Sequence, residues 1–209
     1  MSDKNDANNI RSDTRIASLL ANLSGILAEH SRKTERICKA VAEKFFPNRI
    51  FFFTTLGALH DIGDLVLSQR VIYQEHSGER RRSEEEHITS VRAGFLFLRS
   101  IHADLADLIL HHHELLKYAT GEIEFADPSD FPAKMRATDL VGQKFSSTSI
   151  VCYLDPDEKK KLGLAMAVIE AHLERRRIDN NVWLGLSMHF PQLKELEEFI
   201  SQLLISTPS

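Results

Sequence analysis

A histidine and an aspartate stand side by side in the segment LGALHDIGDLVL, where an apolar helix face is expected to continue. Phe53, Leu56 and Leu59 build that face, and His60 and Asp61 follow directly. Burying an ionised side chain without a partner costs several kcal/mol, so both groups need a compensating contact inside the protein. An imidazole nitrogen and a carboxylate oxygen are both good ligands for a divalent transition metal. The pair is therefore a candidate for metal binding if further donors lie beside it.

Other predicted helices carry ionisable residues on their apolar faces in the same way. His112 lies three residues after Ile109 and four before Leu116, and His113 flanks it. At 3.6 residues per turn, such positions share one buried face. The further positions of this kind are His30 after Leu27, His87 before Val91 and Asp139 after Met135. Side chains from five segments thus point to the interior, which favours a shared metal centre over separate hydrogen-bonded core residues.

The donor types also indicate which metals would bind. Imidazole nitrogens mixed with carboxylate oxygens suit Mn, Fe, Co, Ni or Zn, in a mononuclear or dinuclear site, better than calcium, which prefers an all-oxygen shell. His76, His102 and His172 are assigned no ligand role. His172 is predicted to be a structural core residue, because a lone histidine on an apolar face usually has an ordinary hydrogen-bond partner. His76 and His102 lie among polar residues and are expected to be solvated.

Apolar residues recur at helical spacing almost throughout the 209 residues, and alternating strand patterns are scarce, which predicts an all-α protein. The first helical stripe runs from Ile16 to Phe45, where Pro47 ends it, and Asp155 with Pro156 opens a long later helix. The predicted organisation is a disordered N-terminus over residues 1–13, a helical metal-binding domain over 14–150, and C-terminal helices over 151–209 packed on the same domain.

Composition excludes several classes of function. A formal net charge of −4 gives no general attraction to nucleic acid or to an anionic membrane, and the arginine runs at 80–82 and 175–177 are typical of solvated helix ends. No apolar run is long enough to cross a bilayer. The polar start MSDKNDANNIRSDT lacks the apolar core of a signal peptide, which predicts a cytoplasmic protein. The sequence leaves a homodimer open.

In order and spacing, the segments EHSRKTERI, LGALHDIGD, HHHE and ATDLVGQKF, with a histidine between the second and the third, resemble the H…HD…H…HH…D signature of the HD-domain metal-dependent phosphohydrolases. The likeness is closest to the HD-GYP branch and covers about residues 20–150. It implies an all-α HD-domain bundle, here with a C-terminal helical extension, and a metal centre at its middle that hydrolyses phosphate esters.

The resemblance also implies roles for individual residues. His60 and Asp61 are assigned to catalysis as well as to metal binding. Glu114, which follows the histidine pair, would orient an imidazole. Apart from the resemblance, a substrate phosphate needs cations besides the metals, and because position 64 has no lysine, Lys33 and Arg136 are candidates for that contact. The ligands implied for the first metal are His30, His60, Asp61 and Asp139, and those added for a second metal are His87, His112 and His113, with Asp61 bridging the two.

The chain departs from the family pattern at several positions. The GYP element is missing after the histidine pair, and Asp64 stands where the family usually has a lysine. Ile26 replaces the glutamate of trinuclear members, which argues against a third metal. Ser90 occupies the register where a glycine normally follows the middle histidine, and Gly94 lies one turn later.

These observations predict a metal-dependent phosphohydrolase. Its expected substrate is a small phosphorylated molecule, namely a phosphodiester or phosphomonoester of a nucleotide or cyclic dinucleotide, attacked by a metal-activated hydroxide. The alternative is a catalytically silent HD domain that senses a ligand or holds a partner protein, which Asp64 and the missing GYP element favour. A third interpretation is that the histidines bind haem or one structural zinc ion.

Overall fold

The computed structural model describes residues 10–23, 25–67, 84–122, 154–179, 187 and 190–206. Across these residues the chain forms helices and no β-strand, which confirms the predicted all-α class. A 3-10 helix, Pro47–Arg49, separates α2 from α3. The α-helices are α1 Thr14–Ala21, α2 Gly25–Phe45, α3 Ile50–Leu59, α4 Ile62–Val66, α5 Glu84–Leu98, α6 Ala103–Ala119, α7 Pro156–Leu173 and α8 Leu193–Ser206.

The predicted start of the long helix is confirmed, and the predicted first helix is divided in two. The Asp155 side chain accepts hydrogen bonds from the amides of Asp157 and Glu158, at 3.0 and 2.8 Å, so it caps α7 as expected. The stripe that begins at Ile16 is interrupted between α1 and α2. Gly25 there has a φ of +59°, in the left-handed region that glycine adopts without strain, and this conformation breaks the continuous helix.

The expectation that His102 is solvated is wrong. His102 is buried, and its ring packs against Phe52 with centroids 5.4 Å apart. Its Nδ1 accepts a hydrogen bond from the amide of Leu105 at 3.3 Å, so His102 caps the N-terminus of α6. The polar neighbours of His102 in the sequence did not indicate that it is exposed. A capping side chain has to lie beside the backbone amides of the first helical turn, which have no hydrogen-bond partner within the helix.

One apolar core joins the helices. Helices α2 and α3 pack together, α6 lies between α5 and α7, and α8 packs on α2 and α7. The fully buried side chains at its centre include Phe53, Leu56, Leu105, Ile109 and Leu162. Residues Leu193, Leu196 and Ile200 of α8 belong to the same core. This arrangement brings α2, α3, α6 and α7 together, and these are the helices that carry the ionisable residues described below.

A close crossing of α4 and α5 fixes the backbone just after the His60–Asp61 pair. A Cβ atom added to Gly63 would lie 1.8 Å from the carbonyl oxygen of Ser90 and 2.9 Å from the amide nitrogen of Gly94. Only a glycine can fit at position 63. The neighbouring Asp64 side chain is buried and accepts a hydrogen bond from the Ser90 hydroxyl. Asp64 therefore joins the two helices.

No helix formed by the described part of the chain is both long enough and apolar enough to cross a membrane.

Candidate metal centre

His60 and Asp61 occupy the joint between two helices. Helix α3 ends at Leu59, His60 is its C-cap, and Asp61 is the N-cap of α4. The His60 side chain is buried, and its Nδ1 lies 2.8 Å from the carbonyl oxygen of Gly57. Because a carbonyl oxygen can only accept, Nδ1 carries the proton and donates it. This bond turns Nε2 toward the interior of the bundle, which is the orientation found in metal-binding histidines.

His30 reaches the same point from α2. Its Nε2 lies 2.9 Å from Nε2 of His60, and the two rings are tilted with centroids 4.9 Å apart. Asp61 Oδ2 lies 3.3 Å from His60 Nε2 and 3.6 Å from His30 Nε2. The structure thus brings together three residues that the sequence singled out as ligands of the first metal.

Glu170, a residue not predicted from the sequence, joins this group from α7. Its side chain is 2% exposed. Oε1 lies 3.5 Å from His60 Nε2, and Oε2 lies 3.9 Å from His30 Nε2. A signal for it was present, because Glu170 lies four residues after Met166 and three before Leu173 on the apolar face of its helix. The same criterion identified His112.

A second group of donors adjoins the first. One ligand atom each from Asp61, His112 and His113 lie within 4.8 Å of one another. His112 is buried, and its Nδ1 donates a hydrogen bond to the carbonyl oxygen of Ile109 at 2.5 Å. Its ring meets that of His60 edge-on, with centroids 5.8 Å apart. Asp61 lies close to donors of both groups, the position expected of a bridging carboxylate.

His111 faces a different part of the molecule from His112 and His113. Its Nδ1 lies 3.1 Å from Oε2 of Glu114, the residue expected to orient a ligating imidazole. In the two groups of candidate ligands, the rings of His60 and His112 are oriented by hydrogen bonds to backbone carbonyl groups. Each carbonyl belongs to the residue three positions earlier in the chain. Sequence patterns give no direct signal for such backbone partners.

Several predicted site residues are only partly described. His87 belongs to the first turn of α5, but its side chain lies outside the described residues. Asp139 and Arg136 also lie outside them, so their roles remain predictions. Lys33 is exposed on α2, one turn after His30.

A surface cavity of about 460 Å³ is lined by Arg32 and Arg36. These residues lie on the opposite face of α2 from His30, so the cavity does not extend the two groups of candidate ligands.

The electrostatics of the first group favour a positive charge. Burial alone lowers the pKa of His60, but the negative charges of Asp61 and Glu170 more than offset this and raise it. Burial raises the pKa of Glu170, and the charge of Asp61 acts in the same direction, while His60 opposes them. Two carboxylates and two imidazoles share one small volume. A bound cation would stabilise both carboxylates in their charged form.

The donor set fits a divalent metal ion in both type and spacing. With metal–nitrogen bonds of about 2.0–2.1 Å, adjacent ligand atoms on one ion are separated by about 2.9–3.4 Å. The distances of 2.9 Å between the two Nε2 atoms and 3.3 Å between His60 and Asp61 fall in this range, and the other three distances of the group, 3.5, 3.6 and 3.9 Å, are longer. Oε1 of Glu170 is buried and accepts no hydrogen bond from any described residue, so it has the capacity to bind an ion.

Comparison of the chain with protein-family models, with curated proteins and with solved structures finds no match.

Proposed function

We propose that the protein is a metal-dependent phosphohydrolase acting on a phosphodiester or phosphomonoester, with a nucleotide or cyclic dinucleotide as its substrate. The observation that supports the proposal most is the convergence of His30, His60 and Asp61 within 3.6 Å of one another, from helix α2 and from the joint between α3 and α4. Polar groups this close inside an apolar bundle need a shared partner, and the resemblance to HD-domain phosphohydrolases supports a catalytic one.

When bound, divalent metal ions supply the activation of water and the stabilisation of charge on the phosphoryl oxygens. The protein residues hold the donors in position for this chemistry. His60 and His112 are buried and fixed by carbonyl groups, so their rings are oriented in advance. Asp61 lies between the two groups and can contact donors on either side.

Access for a substrate comes from the side of His30 and Asp61. The His30 side chain is 31% exposed and that of Asp61 is 13% exposed, whereas those of His60 and Glu170 are 1% and 2% exposed. Among the described residues, the group is thus closed on the α7 side and more exposed at His30 and Asp61. Lys33, exposed one turn after His30, is a candidate for attracting an anionic phosphate to this opening.

The experiment that tests the proposal measures metal content and turnover together. Protein purified without a histidine tag is analysed for bound metals and assayed with bis(p-nitrophenyl) phosphate and with nucleotides in the presence of Mn²⁺, Zn²⁺ or Co²⁺. We expect bound metal and hydrolysis in the parent protein, and loss of both in Asp61→Asn. Asp157→Asn, which removes the same charge from the exposed first turn of α7, is the matched control and should keep both. Unchanged turnover in Asp61→Asn would rule out the mechanism.

The alternative, a catalytically silent domain, is favoured by one observation. Asp64 takes the position of the family lysine, is buried, and accepts a hydrogen bond from Ser90, so position 64 offers no cation to a substrate. The same experiment separates the two functions, because a silent domain, with or without bound metal, hydrolyses none of these substrates.

A further inference from the structure

We propose that Glu170 is a ligand of the metal held by His30 and His60, so that metal binding ties the C-terminal helix α7 to α2 and α3. This inference rests on the metal site of the proposed function. It adds a residue from outside the segment of about residues 20–150 that resembles HD-domain enzymes.

The first argument is that the buried carboxylate of Glu170 lacks a hydrogen-bond donor for one of its oxygens in the described part of the chain. Glu170 is 2% exposed, and its Oε1 is buried and accepts no hydrogen bond among the described residues. An unsatisfied buried oxygen of an ionised group is costly, and native structures almost always provide a partner. The groups that face Oε1 and Oε2 are the Nε2 atoms of His60 and His30, at 3.5 and 3.9 Å.

The second argument is the distances between the possible ligand atoms. Nε2 of His30 lies 2.9 Å from Nε2 of His60, and these nitrogens lie 3.9 Å from Oε2 and 3.5 Å from Oε1 of Glu170, respectively. Such spacing is too long for good hydrogen bonds to the carboxylate, and it is close to the separation of ligand atoms around one metal ion. Two imidazoles and a carboxylate form a common donor set for transition metals. With Asp61 they make four donors, all from described residues.

The position of Glu170 in the chain gives the ligation a structural consequence. Helix α7 spans 18 residues, and Glu170 lies near its C-terminal end. Helix α7 also packs against α2 and α6, and its apolar residues Met166 and Ile169 belong to the shared core. A bond from Glu170 to a metal adds a polar link between this helix and the joint that holds His60. Metal binding should therefore stabilise α7 against local opening.

The test uses cobalt(II) as the probe, because its visible absorption reports the ligand set. Glu170→Gln has nearly the same shape as the parent and removes the ligating charge. Glu174→Gln removes the same charge one turn later, at an exposed position, and is the matched control. We expect Glu170→Gln to bind Co²⁺ about 100-fold more weakly or worse, with an altered absorption spectrum, and Glu174→Gln to bind like the parent. Circular dichroism of the metal-free proteins checks that both variants are folded.

Hydrogen exchange gives a second readout that does not depend on activity. In the parent protein and in Glu174→Gln, Co²⁺ should slow amide exchange across the C-terminal half of α7. In Glu170→Gln this protection should be absent even when the metal concentration is high enough to fill the site. Should Glu170→Gln fail to fold, Glu170→Asp replaces it, because a side chain shorter by one methylene group withdraws the carboxylate from the metal and should also weaken binding.

The outcomes separate this inference from the proposed function. A parent protein that binds no metal refutes both. A parent protein that binds Co²⁺, together with a folded Glu170 variant of unchanged affinity, spectrum and protection of α7, refutes the inference and leaves the proposed function standing. Asp139→Asn is measured alongside. If it alone loses the metal, the first metal is held by the predicted ligand Asp139 instead of Glu170.

Discussion

The Nε2 atoms of His30 and His60 lie 2.9 Å apart, although 30 positions separate the two residues in the sequence. The Nδ1 proton of His60 is committed to the Gly57 carbonyl, so Nε2 of a neutral His60 ring can only accept a hydrogen bond, and His30 donates one when its own Nε2 carries the proton. When His60 is protonated, which its raised pKa favours, its Nε2 donates to His30 instead, so in the metal-free protein one proton lies between the two nitrogens. A divalent metal would displace that proton and bind both nitrogens.

Metal removal should therefore lower the stability of the whole bundle. A ligand present at 100 times its dissociation constant stabilises the native state by about 2.7 kcal/mol, which corresponds to a rise in Tm of about 5–10 °C for a chain of this size. We expect treatment with a chelator to lower the Tm by this amount and added Mn²⁺ or Zn²⁺ to restore it. Differential scanning calorimetry makes the measurement. An equal Tm with and without chelator would mean that no metal is bound to the native protein.

Adjacent histidines on α6 should differ sharply in their effect on metal binding. The rings of His112 and His60 pack edge to face, whereas the ring of His111 contacts Glu114. His112→Gln should lower the affinity for the second metal by about 10- to 100-fold or more, and His111→Gln should leave metal binding unchanged. Titration with Zn²⁺ followed by calorimetry counts the sites in each variant. Equal losses in the two variants would contradict the assignment of these faces of the helix.

The crossing of α4 and α5 should not tolerate a larger residue at position 63. Gly63→Ala would bring a methyl group to 1.8 Å from the Ser90 carbonyl, so the helices must separate, with an expected loss of about 3 kcal/mol. Gly25→Ala serves as the control. It meets no atom within 4 Å and is expected to cost about 1 kcal/mol, because its φ of +59° is strained for alanine. Urea denaturation measures both losses, and a smaller loss for Gly63→Ala than for Gly25→Ala would be inconsistent with this crossing.

A buried ion cluster between α6 and α7 should also be essential for stability. The Nζ of Lys159 lies 2.6 Å from Asp104 and 3.0 Å from Asp107. Lys159→Met leaves two carboxylates without this partner and should cost about 3–5 kcal/mol. Lys161→Met removes an exposed i,i+4 partner of Asp157 on the same helix and should cost less than about 0.5 kcal/mol.

The loss caused by Lys159→Met should depend on pH. Burial already raises the pKa of Asp107, and Lys159 opposes that rise, so removing the lysine raises the pKa further. The folded variant then binds more protons than the unfolded chain over a wider pH range, and its stability falls as the pH increases. Its deficit relative to the parent protein should thus be smaller at pH 5 than at pH 8 in urea denaturation. A deficit that does not change with pH would show that the carboxylates do not need the lysine charge.

The sequence by itself determined the fold class and most of the candidate site. Helical periodicity needs only local information, because each turn of a helix repeats every 3.6 residues whatever it packs against. The same periodicity identified His30, His60 and His112 as ionisable residues on buried faces, and the structure places them together.

Only the tertiary structure revealed the role of Glu170 and the partners of the rings. Glu170 lies on an apolar face, but its place beside His30 and His60 depends on how α7 packs against α2. That packing depends on the side-chain volumes of residues that are far apart in the sequence. The buried cap at His102 is likewise a consequence of where the helices meet. A local pattern shows which side of a helix faces inward, and the packing of the whole bundle decides which residues it meets there.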